Sequence, residues 1–110
     1  MTEFEIGFSK NQVQGGINEC FEVVYNHSRV TGSNGELAFG QNALYFFFTD
    51  EMAKGFMKPW SVNYSEIASY EKSGLAGYLI HLKDGNVLRF SNVFRKKRNE
   101  INEALQKRGI

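Results

Sequence analysis

The chain has 110 residues, 13 Lys and Arg against 12 Asp and Glu, and a single Cys, so it is one domain that needs neither disulfides nor metal to hold an ordinary core. A net charge of +1 argues against a global attraction to nucleic acid and leaves room only for a local basic patch. Its 10 Phe, 5 Tyr and 1 Trp supply bulky core material, and 11 Gly with 1 Pro suit a sheet with tight turns.

In chain order, Met1 to Asn18 reads as an arm added to a domain spanning 19–110. Phe4-Glu5-Ile6-Gly7-Phe8 alternates like a strand, whereas Asn11 to Gly16 looks like a break. Met1 to Glu5 carries acid rather than a basic segment and a long apolar run, so no secretory signal is visible. The unpaired Cys20 is consistent with a reducing compartment, and a cytoplasmic location is expected.

Phe21–Tyr25 is the first core strand, and Asn34-Gly35 marks a turn. Glu36–Phe39 and Ala43–Thr49 form a hairpin. An even loop around Gln41-Asn42 brings Leu37, Phe39, Leu44, Phe46 and Phe48 onto one face. Tyr45 and Phe47 then lie on the opposite face, where an aromatic patch needs cover from the arm, through Phe4, Ile6 and Phe8, or from another subunit. The run from Ala43 to Phe48 is the longest apolar one and falls far short of the ~20 residues that cross a bilayer as a helix.

Asp50 to Lys58 breaks the strand pattern and reads as a loop. Within it, Lys54-Gly55-Phe56-Met57-Lys58 sets two apolar residues between two cations. Such a loop dips Phe56 and Met57 into a membrane interface or partner pocket, or folds them back over a barrel end. Trp60–Tyr64 and Ile67–Glu71 are short strands around a Tyr64-Ser65-Glu66 corner, with Trp60, Val62 and Tyr64 on one face.

Ala76–Lys83 and Asn86–Ser91 make the last hairpin. A two-residue Asp84-Gly85 loop mixes the faces of its strands. A three-residue Lys83-Asp84-Gly85 loop, with Gly85 left-handed and a bulge, sets Ile80 against Leu88 and Tyr78 against Phe90. A helix follows from about Val93 to Arg108, capped by Ser91 or Asn92 and stopped at Gly109. Phe94, Ile101, Ala104 and Leu105 form its apolar stripe. Lys96, Glu100, Glu103 and Lys107 face away, with Glu103 and Lys107 spaced for a pair worth roughly 0.3–0.5 kcal/mol.

The expected fold is therefore mainly β: a small antiparallel sheet of seven strands capped by one C-terminal helix. The pattern Gly35-Glu36-Leu37-Ala38-Phe39 to Leu44-Tyr45-Phe46, then Val62-Asn63-Tyr64-Ser65-Glu66-Ile67, then Leu79 to Gly85 and Leu88-Arg89-Phe90-Ser91, resembles the PH-like superfold. It is most similar to the GRAM and bacterial PH-like branch, over about Gly35 to Arg108, and the shared positions are turns and core. The resemblance implies a strongly bent seven-stranded sheet, a partly open barrel closed by the helix, of a kind that binds phosphoinositides, peptides or other domains. Ring-forming self-assembly also occurs in such relatives. Phosphoinositide binders place several cations around the first hairpin, where Gly40-Gln41-Asn42 has none. Fold alone does not decide function.

Among chemical motifs, Arg95-Lys96-Lys97-Arg98 is the one concentrated charge, at a helix start where the dipole disfavours cations. It faces phosphate or an acidic peptide, or is simply solvated, with Lys96 outward and the stems of Lys97 and Arg98 along the buried stripe. No catalytic constellation, cofactor motif or metal site is expected. His27, His81 and Cys20 are too scattered for zinc, and no Gly-x-Ser-x-Gly elbow, P-loop or dinucleotide fingerprint occurs. Cys20 has no neighbouring cation in sequence to activate it, and His81 is expected on a strand surface. The expectation is a non-enzymatic interaction module that binds a protein or peptide or associates with itself. The alternative is peripheral attachment to an anionic membrane through the 54–58 loop.

Overall fold

A computed structural model describes residues 1–110. The eight strands are β1 (Thr2–Glu3), β2 (Ile17–Asn26), β3 (Gly32–Gly40), β4 (Ala43–Phe48), β5 (Trp60–Asn63), β6 (Ile67–Ser73), β7 (Gly77–Leu82) and β8 (Val87–Ser91). The helices are a single turn, α1 (Glu51–Lys54), and α2 (Arg95–Gln106). The strands form one antiparallel sheet in the order β1-β5-β4-β3-β2-β8-β7-β6. Its two edges, β1 and β6, do not pair, so the barrel stays partly open. The fold is mainly β with one C-terminal helix. It departs from seven strands only by β1, which the arm adds beside β5.

β2 is the hinge between the halves, since it pairs along its length with β3 and through Val24 and Tyr25 with Ser91 and Phe90 of β8. Between the halves lies one core, in which Leu37, Phe39, Leu44, Phe46, Val62, Tyr78, Ile80 and Phe90 meet Val93, Ile101, Ala104 and Leu105. Burying side chains of this size stabilises by about 1.5–3 kcal/mol each. The Tyr78 hydroxyl is satisfied by donating to Asn102 Oδ1 at 2.5 Å.

Both hairpin registers follow from parity. Phe39 opposes Leu44 and Leu37 opposes Phe46 across the two-residue Gln41-Asn42 connection. In the last hairpin Ile80 opposes Leu88 and Tyr78 opposes Phe90. There Gly85 sits at φ +93, while the Leu82 N–H donates to the Asn86 carbonyl and the Gly85 N–H to that of Leu82. The Tyr64–Glu66 corner is a 3₁₀ turn whose Glu66 carboxylate accepts the Asn63 N–H at 3.1 Å.

Several expectations are overturned. Asn34-Gly35 is not a turn, because both residues lie within β3 and the chain reverses at 27–31, where the His27 N–H donates to the Thr31 carbonyl. Gly35 is there for space, since a Cβ would stand 2.2 Å from Phe46 Cζ. Residues 50–58 are not all loop. Asp50 caps α1 by accepting the Ala53 N–H at 3.2 Å, and Ala53 is buried. Neither Ser91 nor Asn92 caps α2, because Ser91 still belongs to β8 and Asn92 takes a left-handed φ of +61. The helix starts after Phe94 without a side-chain cap, and Phe94 is 53% exposed while Val93 takes the buried place. Finally, Lys107 lies 3.9 Å from Glu19 rather than pairing with Glu103. The end of α2 is as expected: Gly109 is left-handed, and the Ile110 N–H donates to the Leu105 carbonyl.

Candidate functional site

The helical turn α1 and the connection to β5 raise an apolar tip over the end of the sheet. Asp50 starts the turn, Gly55 ends it, and Met52 and Phe56, four residues apart, stand outward with 73% and 63% exposure. Met57 instead packs against the core. Lys54 and Lys58 are both exposed, with Lys54 3.4 Å from Glu51. Asp50, Glu51, Lys54 and Lys58 cancel in charge, so the tip is apolar without being cationic.

Beside Phe56 opens a cleft of about 330 Å³ walled by Tyr25, His27, Phe48, Met57 and Trp60, with Glu3 and Lys58 at its rim. Its rings support one another: Tyr25 lies 5.0 Å from His27 and 5.2 Å from Trp60, and His27 stacks on Phe48 at 5.7 Å. Burial, with the Glu3 carboxylate nearby, raises the Tyr25 pKa and keeps its hydroxyl protonated. The buried Trp60 Nε1 makes no hydrogen bond. Phe56 and Met57 therefore divide their roles, one exposed at the cleft and one closing the core beneath it. Sequence reasoning found the loop but not the cleft, whose walls come from β2, β4 and β5.

The basic run lies elsewhere. Lys97 donates to the carbonyls of Glu22 and Asn92, which ties the first turn of α2 to β2. Arg95 and Lys96 are exposed and Arg98 is half-buried, and none of the three forms an ion pair. Lys96 and Lys97 line a shallow groove with Phe21, Glu22 and Phe94. This groove and the Phe56 cleft share no residue.

Arg108, which sequence reasoning missed, does more for the fold than any member of that run. Its guanidinium lies 4.9 Å from the Phe39 ring and 5.3 Å from the Tyr64 ring, donates to the Ala104 carbonyl at 2.7 Å and pairs with Glu19 at 3.4 Å. Tyr64 in turn donates to the Gly40 carbonyl at 2.7 Å, and burial pushes its phenol up to about 12. The partners of Arg108 are scattered along the chain, so no local pattern announces them.

The outer face of β3 and β4 is covered in cis. Phe4 lies 5.8 Å from Tyr45, Phe8 lies 6.2 Å from Phe47, and Phe4 and Phe8 stack on each other at 4.2 Å. With the 6.0 Å Tyr45–Phe47 stack they make a near-parallel quartet of rings. Val13 completes a second cluster with Ala38 and Phe47. Ile6, expected to share in this cover, is 49% exposed because Gly7 at φ +96 turns the chain away. Phe4 to Phe8 is not a strand; only Thr2 and Glu3 pair, with Ser61 and Trp60.

The remaining titratable cluster joins this arm to the sheet. Glu36 accepts from Lys10 Nζ at 2.8 Å and from the Cys20 thiol at 2.6 Å. Those two donors hold the Glu36 carboxyl below its usual range. The Cys20 sulfur, desolvated and facing that carboxylate, is pushed up to about 12 despite Lys10 at 3.9 Å. A thiol so held is protonated at neutral pH and a poor nucleophile. His81 is half-exposed, with its Nε2 2.6 Å from Glu71. No three His, Cys, Asp or Glu side chains gather as ligands for a metal, and no helix is long and apolar enough to cross a membrane.

No family model matches the chain, and no curated protein does. Among solved structures it is similar to the crystal structure of the C-terminal domain of an unknown protein from Leishmania infantum, with a TM-score of 0.66 and 16% identity. The match covers 82% of this chain and 81% of that one. At that identity the likeness carries the fold alone.

Proposed function

We propose that this chain is a non-enzymatic, PH-like interaction module of GRAM type that works in the cytoplasm and binds a protein or peptide at the tip formed by α1 and residues 54–58. The observation that carries this reading is the exposed Phe56 lining an aromatic-walled cleft of about 330 Å³, with exposed Met52 four residues before it in the same tip. Exposed aromatic and Met side chains next to a preformed pocket are what a partner's anchor residues bury against. Lys54 and Lys58 then act as rim contacts, which set orientation and on-rate more than affinity.

Peripheral membrane attachment is the second reading, and the exposed Phe56, Met52 and Met1 favour it. Binding to an anionic leaflet draws about 1 kcal/mol from each nearby cation. At this tip Asp50 and Glu51 cancel Lys54 and Lys58, and the basic run of α2 belongs to another groove. That balance favours a protein partner.

A peptide-display selection on the full chain, with Phe56→Asp as the counter-target, tests the choice. The expected result is a recurrent peptide motif that binds the parent chain and loses about thirtyfold or more on Phe56→Asp, the cost of removing one anchor. Absence of any such motif, together with salt-sensitive sedimentation on phosphatidylserine vesicles that Phe56→Asp abolishes, would transfer the tip to the membrane.

A further inference from the structure

The cleft beside Phe56 is shaped and charged for more than an ordinary apolar anchor. Its rings meet at steep angles: Tyr25 stands at 71° to His27 and at 58° to Trp60, and the His27 and Phe48 rings stack to make a further wall. Rings set across one another around a volume of about 330 Å³ form a box rather than a flat stack. Tyr25 and His27 are half-buried and Phe56 is 63% exposed, so a ligand reaches the box from solvent.

One negative charge is fixed at its edge. Glu3 is the direct strand partner of Trp60, which puts both side chains on the same face of the sheet, and its carboxylate is near enough to act on Tyr25. Glu3 is exposed and forms no ion pair; Lys58, also exposed and without an ion pair, is the opposing charge at the rim. The face of an aromatic ring is the negative side of its quadrupole, so the rings and the carboxylate together favour a cation. A primary ammonium brings three N–H donors that need acceptors. The box has few to offer, since Glu3 is its one carboxylate and His27 Nε2 is engaged with Ser33 Oγ at 2.9 Å. A quaternary ammonium has no donor to satisfy.

We propose that the cleft is an aromatic cage for a methylated ammonium, carried into it as a methylated lysine of the protein partner. The charge lies against the rings of Tyr25, His27 and Phe56 with Glu3 beside it, the methyl groups meet the apolar walls of Phe48, Met57 and Trp60, and Lys58 opposes from the rim. This assignment rests on the tip being the binding surface and names the anchor that the partner brings to it.

Titration of the full chain with N-acetyl-trimethyllysine methylamide, followed through the NMR signals of the Tyr25, His27 and Trp60 rings, tests it. The expected result is saturable shifts at those rings, with about fivefold weaker binding of the neutral analogue in which a tert-butyl group replaces the trimethylammonium. At low salt Glu3→Gln should weaken binding of the cation about threefold and Lys58→Gln should strengthen it, and neither should move the neutral analogue. Phe56→Leu, which keeps an apolar group but removes a ring, should weaken the cation more than the analogue. Equal binding of the two compounds, or no shift at those rings with either, overturns the proposal. So does Phe56-dependent sedimentation on phosphatidylcholine vesicles without binding of the trimethyllysine compound, which would assign the ammonium to a lipid. A displayed peptide motif that is lost on Phe56→Asp, from a protein that shows no preference for the methylated cation, would keep the tip as a binding surface and sink only the cage.

Discussion

The two faces of the β3–β4 hairpin are both apolar, yet they are built to different standards. The inner face sets Leu37, Phe39, Leu44, Phe46 and Phe48 into a core shared by both halves of the sheet and α2. The outer face offers Ala38, Tyr45 and Phe47 to a strap of coil that touches them with Phe4, Phe8 and Val13. Alternation along a strand says which residues share a face. What covers each face sets how firmly it is held, and a face covered by one terminal segment belongs to the low-stability end of the molecule.

The sharpest way to break this comparison is to truncate one ring on each side. Phe46→Ala should cost about 3–5 kcal/mol in denaturant unfolding, the usual cost of emptying a fully enclosed aromatic site. Phe47→Ala, one residue along, should cost less than half as much, because the arm can settle or leave. Equal costs would mean that the outer layer is as integral as the core.

Gly35→Ala probes the inner side from the backbone. A methyl group there meets Phe46 Cζ at 2.2 Å and the Phe47 carbonyl at 2.5 Å, so overpacking of about 1–3 kcal/mol is expected. Arg108→Lys keeps the charge but loses the planar stack on Phe39 and Tyr64, and should cost about 1 kcal/mol. Unchanged thermal stability in that variant would reduce Arg108 to a surface cation.

Acid should loosen the outer layer before the inner one. The folded Glu36 carboxyl has a depressed pKa, so its contribution is present above the unfolded value, near 4.3, and is lost as pH falls through the folded one. The Lys10 link fails with it, and amide exchange in residues 4–13 should accelerate below about pH 4, relative to that of β3 and β4. The smallest effect belongs to Phe56→Asp. Its ring is exposed, so stability should stay within about 0.5 kcal/mol, whatever happens to binding.

Much of the inner layer was legible in sequence because it rests on parity. The period of two in Leu37 to Phe48, with an even loop, and the clash of faces that forces a bulge at Lys83-Asp84-Gly85, lead to the observed pairings. Glycine misled where its two uses look alike: Asn34-Gly35 reads as a turn, but Gly35 is a strand residue that makes room for a ring. The start of α2 was hidden by Asn92, whose left-handed backbone displaces the cap and turns Phe94 out. The outer face was recognisable as needing cover, but contacts between Phe4 and Tyr45, so far apart in sequence, have no local signal. The same holds for the candidate site, where the 54–58 loop stood out while the Tyr25, His27 and Trp60 walls of its cleft did not.

Native-state hydrogen exchange on the full chain tests the difference between the two layers most directly. The account predicts that amides of Thr2 to Val13, including those bonded across β1 and β5, exchange at least a hundredfold faster than those of β3 and β4. Protection of the arm equal to that of β3 and β4 would contradict it, and would make the arm a permanent part of the core rather than a loosely held layer.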